Sequence, residues 1–94
     1  MQISETQIND ILNNADIEGL LVSGAPVDEY ESEASLIYQS ILEMKDRVLT
    51  REEIILIVSQ VWQSSFELLD QDMVERHNGV VSVSDHIYRL YDRS

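Results

Sequence analysis

Apolar positions recur along most of the chain at steps of three and four, the period of amphipathic α-helices. Near the start, Ser4 and Gln7 fit a capping box, in which each residue's side chain bonds the other's backbone N–H. Ile3 and Ile8 stand at the positions of a hydrophobic staple around that box. The pattern therefore predicts a first helix over about residues 5–15.

A second helix is predicted after a turn. A short helical turn or ordered loop is expected over residues 16–22, and the run Ser23-Gly24-Ala25-Pro26 is a breaker. Asp28 as N-cap and Glu31 three residues later offer a second capping box. One stripe should be buried because its members recur at helical spacing: Tyr30, Ala34, Ile37, Ile41 and Met44. This helix should end near residues 45–47.

The third predicted helix, about residues 51–69, is the most apolar. Thr50 and Glu53 form its capping box, with Leu49 and Ile54 as the staple. Its apolar residues cover about half of the helical circumference: Ile54, Ile55, Ile57, Val58, Val61, Trp62, Phe66, Leu68 and Leu69. So wide an arc predicts a central helix in contact with at least two others.

The pattern is weaker from residue 70 onward. The sequence leaves open whether the helix continues or restarts over residues 70–78 before Gly79, and residues 80–83 have the composition of a short strand without a partner strand. Ser82 or Ser84 is a candidate N-cap for a last helix. We expect an all-α fold, a compact bundle of four helices around the apolar third one, as a single domain over residues 1–94.

Charge changes this picture more than any other bulk property. The chain has 18 Asp and Glu against six Lys and Arg, a formal net charge of −12. Residues 1–44 hold nine of the carboxylates and no Lys or Arg. Such a field repels nucleic acid and anionic membranes and speeds encounter with cationic partners. Solubility alone is the alternative explanation. No apolar run is long enough to span a membrane, and no secretory signal precedes residue 11, which favours a cytoplasmic location.

The sequence gives little support for a catalytic or metal-binding site. There is no cysteine, and His77 and His86 are more typical of surface or helix-end histidines than of ligands or bases. No phosphate loop, nucleophile elbow or HExxH motif occurs. The carboxylates of residues 28–33 have the wrong spacing for a calcium loop. Trp62 and Phe66 lie one turn apart, where core packing is favoured over ligand stacking. We therefore expect a protein that is not an enzyme and needs no cofactor or metal.

A second face of the helix behind Asp28 is the candidate binding surface. Glu31, Ser35, Tyr38 and Leu42 follow at steps of four, three and four, away from the main apolar stripe. Either another helix covers them or they form a recognition surface, since Tyr with apolar neighbours inside a polar rim is typical of interfaces. The predicted partner-binding residues are Asp28, Glu29, Glu31, Glu33, Ser35, Tyr38 and Leu42.

One segment resembles a known family. The strings Asp16-Ile17-Glu18-Gly19-Leu20-Leu21, Gly24-Ala25-Pro26 and Asp28-Glu29-Tyr30, followed by Glu33, are similar to the small bacterial YugE-like proteins, a domain of unknown function. The match covers about residues 16–37, with Ile17 where the family tends to have proline. The resemblance implies a small helical fold and supplies no activity.

Together these features favour a non-enzymatic binding protein. The hypothesis is an immunity- or antitoxin-type inhibitor of a basic, nuclease-like toxin, by physical analogy with acidic helical immunity proteins. The alternative is a YugE-like regulatory or structural module that binds another protein. Neither is expected to bind nucleic acid or a membrane directly.

Overall fold

The computed structural model describes residues 3–26, 28–44 and 46–92. They form four helices: α1 (Glu5–Ala15), α2 (Glu31–Glu43), α3 (Arg51–Ser65) and α4 (Asp70–Asp92). The described part of the chain contains no strand. The predicted all-α four-helix bundle is confirmed.

Two of the three predicted capping boxes are present. The Ser4 hydroxyl accepts the Gln7 N–H and the Gln7 side chain accepts the Ser4 N–H, at 3.1 and 2.8 Å. Thr50 and Glu53 repeat the arrangement at the start of α3. Ile3 and Leu49, which precede the two caps, are both buried, as staple residues should be. Local sequence therefore determines where α1 and α3 begin.

The third predicted box, at Asp28, is wrong. Helix α2 begins at Glu31, and the residue at its N-cap position, Tyr30, makes no side-chain capping bond. Asp28 is exposed and accepts the Glu31 N–H only through its backbone carbonyl. Tyr30 instead lies in the core with no exposed surface. The helix ends at Glu43; the predicted end at residues 45–47 includes Lys45, which lies outside the described residues.

Because Asp28 caps nothing, Asp28→Ala should leave the denaturant midpoint within about 0.5 kcal/mol of wild type in free-energy terms. Thr50→Ala, which removes an observed cap, should cost about 0.5–2 kcal/mol. Urea titrations of both variants followed by circular dichroism make the comparison. If the two variants lost equal amounts of unfolding free energy, Asp28 would have to act as a cap after all.

Helix α3 ends four residues earlier than predicted. Glu67 has φ 52, a left-handed conformation that stops the helix, and the Gln63 side chain bonds the Leu68 carbonyl and Asp70 across the turn. Leu69, predicted to belong to the apolar arc, is 64% exposed. The turn brings α4 back along α3, so that Arg51 at the far end of α3 pairs with Asp85.

Residues 70–92 form one continuous helix, so the predicted strand at residues 80–83 and the caps at Ser82 or Ser84 are wrong. Val80, Val83 and Ile87 are buried at helical spacing, and the Ser84 hydroxyl donates to the Val80 carbonyl at 2.7 Å. Gly79 does not break the helix. A Cβ there would lie 3.1 Å from Ile17 Cγ1, so the glycine leaves room for the chain that packs across it.

The helices pack in a ring in which each contacts two neighbours. Helix α3 contacts α2 and α4, as its wide apolar arc predicted, and α1 also lies between α2 and α4. Among the described residues, sixteen buried apolar side chains form the core between the helices: Ile3, Ile8, Leu12, Tyr30, Ala34, Ile37, Ile41, Leu49, Ile54, Ile57, Val58, Val61, Trp62, Val80, Val83 and Ile87. Met44, the last member of the predicted α2 stripe, is 38% exposed.

Candidate partner-binding surface

The predicted acidic residues divide into exposed and buried groups. Asp28, Glu29 and Glu31 are exposed in front of and at the beginning of α2. Glu33 is only 8% exposed. It therefore offers little surface to the partner that it was predicted to bind, because its position on α2 turns it towards Ser65 of α3.

Glu33 is a buried carboxylate beside the end of α3. The Ser65 side chain lies beside it and favours its ionised form, and Glu29 is the neighbouring charge. Burial, and then repulsion from Glu29, raise the pKa of Glu33 above its usual value. The folded protein thus favours the protonated acid, and ionisation at neutral pH costs stability.

Glu33→Gln should therefore stabilise the protein at pH 7, by about 0.5–2 kcal/mol. The stabilisation by the protonated acid is complete below the unfolded-state pKa and is lost as pH rises through the folded-state pKa. The gain from Gln should accordingly disappear near pH 3, where the wild-type side chain is protonated in both states. Thermal melts at the two pH values test this, with Glu31→Gln as the exposed control on the same turn. A variant less stable than wild type at pH 7 would show that the ionised form is stabilised.

The aromatic centre of the predicted surface is partly covered. Tyr38 is half-buried and packs against the core, and Ser35 and Leu42 are also half-buried. Tyr38→Ala would therefore remove core contacts as well as any contact with a partner. The exposed large apolar side chain of α2 is Leu36, which is 49% exposed.

A shallow groove brings part of the predicted set together with residues that sequence reasoning missed. We call it the acidic groove; it is lined by Glu5, Asp28, Glu31, Ser32, Ser35 and Leu36. Carboxylates of α1, of the connection before α2 and of α2 itself thus line the same groove as an exposed leucine. None of the three makes an ion pair with a residue in the described ranges. The groove offers hydrogen-bond acceptors and negative charge beside an apolar contact.

Three arginines lie outside the groove, and each is paired with a carboxylate there. Arg47 pairs with Glu53 and Arg51 with Asp85, both within the second half of the chain. Arg76 pairs with Glu18 at 2.6 Å. The charge of the acidic groove is therefore not neutralised by these arginines, and it remains available to an outside partner.

The segment that carries the family resemblance connects α1 to α2 and is held by hydrogen bonds to Asp16. The Tyr30 hydroxyl donates to Asp16 Oδ1 at 2.6 Å, and the N–H groups of Leu21 and Val22 donate to the same carboxylate at 3.1 and 3.0 Å. The bond from Tyr30 lowers the pKa of Asp16. Burial, with the hydrogen bond to Asp16, raises the pKa of Tyr30 to about 12. Tyr30 is therefore a structural residue that joins the connection to the core.

A second carboxylate ties the same connection to α3 and α4. Glu18 Oε2 accepts the Trp62 indole N–H at 2.8 Å, and the Arg76 guanidinium bonds both carboxylate oxygens at 2.6 and 3.0 Å. Burial opposes ionisation of Glu18, but the bonds from Arg76 and Trp62 outweigh it and lower the pKa of Glu18. Trp62 stacks against Tyr30 with ring centroids 5.6 Å apart, and Phe66 lies 4.9 Å from Trp62. Trp62 thus belongs to the core and the partly buried Phe66 packs against it, as expected.

The described residues form neither a metal-binding cluster nor a membrane-spanning helix. Within residues 3–26, 28–44 and 46–92, no three His, Asp or Glu side chains are grouped so as to hold a metal ion. No helix in the same ranges has the length and apolarity that crossing a bilayer requires. Comparison with known protein families, curated proteins and solved structures finds no match to this chain.

Proposed function

We propose that the protein is a non-enzymatic, cytoplasmic inhibitor of the immunity or antitoxin type, which binds and neutralises a basic, nuclease-like toxin. The observation that carries the proposal is the separation of charges. Arg47, Arg51 and Arg76 are engaged by carboxylates outside the acidic groove, whereas Glu5, Asp28 and Glu31 converge there without a described cation.

The physical argument is complementarity. A nuclease presents Lys and Arg to bind phosphates, and a carboxylate surface offers those same side chains a competing site. A net charge of −12 accelerates the encounter, while an apolar anchor slows dissociation. In the proposed surface the carboxylates speed association, and Leu36 is the apolar anchor that slows dissociation. Of the residues predicted from sequence, Asp28, Glu29, Glu31 and Ser35 remain in this proposal.

Capture followed by an activity assay tests the function. The tagged protein is used as bait in extracts of its native host, and the captured protein is assayed for nucleic-acid cleavage. We expect a basic protein whose nuclease activity falls as wild-type protein is added up to one equivalent. A partner that is not basic and has no such activity would contradict the toxin-inhibitor proposal.

That second outcome would favour the other candidate, a regulatory or structural module of the YugE-like type. The observation in its favour is the Asp16–Tyr30 bond, which links two residues of the segment on which the resemblance rests. In this alternative the partner is another cytoplasmic protein, and the acidic groove contributes solubility.

A further inference from the structure

Residues 16–26, which we call the strap, close one end of the bundle over its aromatic cluster. The strap runs from the end of α1 towards α2, and its Leu20 and Leu21 pack against the core. Beneath it lie Trp62 and Tyr30, both without exposed surface. The strap contains none of the four helices, so its position depends on the bonds that fasten it.

Two carboxylates of the strap make those bonds. Asp16 holds the strap to itself through Leu21 and Val22 and to α2 through Tyr30. Glu18 holds it to α3 through Trp62 and to α4 through Arg76. Backbone bonds inside the strap are short-range, such as Ala25 N to Leu20 O at 2.9 Å.

The packing contact is equally specific. Ile17 rests on Gly79, the only glycine of α4, at a distance that a Cβ would crowd. In contrast, the tip of the strap points away from the protein, since Val22 is 88% exposed. A segment fastened at few points, with an exposed tip, can open without loss of the helices.

We infer that the strap is a separate cooperative unit, fastened by the charges of Asp16 and Glu18, and that it opens before the helices unfold and uncovers Trp62. The charged or titratable groups that face these carboxylates are Tyr30 for Asp16, and Arg76 and Asp72 for Glu18. Hydrogen bonds lower the pKa of both carboxyl groups, so the fastening is complete above their unfolded-state values and is lost as pH falls through the folded-state values.

Amide hydrogen exchange tests whether the strap is one unit. In the wild type, the amides of Leu21, Val22 and Ala25 should share one protection factor, at least about tenfold below that of Val58 in α3. Glu18→Gln touches none of these amides, yet it should speed the exchange of all three by one common factor of about tenfold. Asp28→Asn, an exposed carboxylate change, should leave them unaltered.

Two results would overturn the inference. Protection of the strap amides equal to that of Val58 would mean that strap and helices open together. Unchanged exchange at Leu21 and Val22 in Glu18→Gln would mean that the two carboxylates act separately.

An acid titration of the wild type supplies a readout that needs no variant. Trp62 is the only tryptophan, so its emission reports the strap directly. As pH falls, the emission should shift to the red and acrylamide quenching should rise while far-ultraviolet circular dichroism still shows the native helices. Coincident fluorescence and dichroism transitions would contradict a separate opening.

Discussion

Trp62→Ala should lower the free energy of unfolding by about 3–5 kcal/mol, the typical cost of removing a large buried aromatic side chain. Trp62 has no exposed surface and contacts the rings of both Tyr30 and Phe66, so the substitution leaves a cavity in the aromatic cluster. It also removes the indole donor of Glu18. For a small domain whose total stability is about 5–15 kcal/mol, this is a large fraction.

Urea unfolding followed by circular dichroism measures the effect, with Leu56→Ala as control. Leu56 lies on the same helix but is 59% exposed, so its truncation should change stability by less than about 0.5 kcal/mol. Equal effects of the two substitutions would mean that Trp62 is not packed as described.

Arg76→Ala should cost about 1.5–3 kcal/mol at pH 7, since it removes charged hydrogen bonds and leaves the Glu18 carboxylate without its cation. The Glu18 and Arg76 side chains are 11% and 25% exposed, so water replaces the lost partner poorly. The pKa of Glu18 is lowered in the native protein, and the stability it provides is present above its unfolded-state pKa. As pH falls through the folded-state pKa, the wild type loses that stability too.

The difference between wild type and Arg76→Ala should therefore be largest near neutral pH and shrink in acid. Unfolding free energies measured between about pH 3 and pH 7 test the trend. Arg51→Ala is the matched control, because its partner Asp85 is 30% exposed and the pair should contribute only about 0–1 kcal/mol. A penalty for Arg76→Ala that stays constant with pH would assign its cost to lost packing alone.

The success of sequence reasoning depended on the range of the interactions involved. The caps at Ser4 and Thr50 were predictable because a capping box is complete within four residues. Asp28 fitted the same pattern, but the predicted cap does not form. Tyr30 lies in the core instead, where it contacts Trp62 and Asp16. Those partners are distant in sequence.

For helix α4 the sequence predicted a break where the structure has a continuous helix. Gly79 and the valines after it matched a break followed by a strand, but the glycine is where Ile17 packs, 62 residues away in sequence. The candidate surface was only partly predictable for a similar reason. Glu5 joins Asp28, Glu31 and Leu36 through the placement of α1 against α2, and Glu33 is buried on the side of α2 that lies beside Ser65 of α3.

The central claim is that the acidic groove meets a basic partner, and two charge-matched variants test it. One combines Glu5→Gln, Asp28→Asn and Glu31→Gln; the other combines Glu43→Gln, Asp46→Asn and Glu67→Gln at exposed carboxylates outside the groove. Each removes three charges, so any effect of net charge alone is equal in the two.

The measurement is the association rate constant with the captured partner, taken at increasing salt. The account predicts that the groove variant associates about tenfold or more slowly at low salt, that this deficit shrinks as salt is raised, and that the control variant stays close to wild type. Equal slowing of both variants, or no slowing of the groove variant, would contradict it.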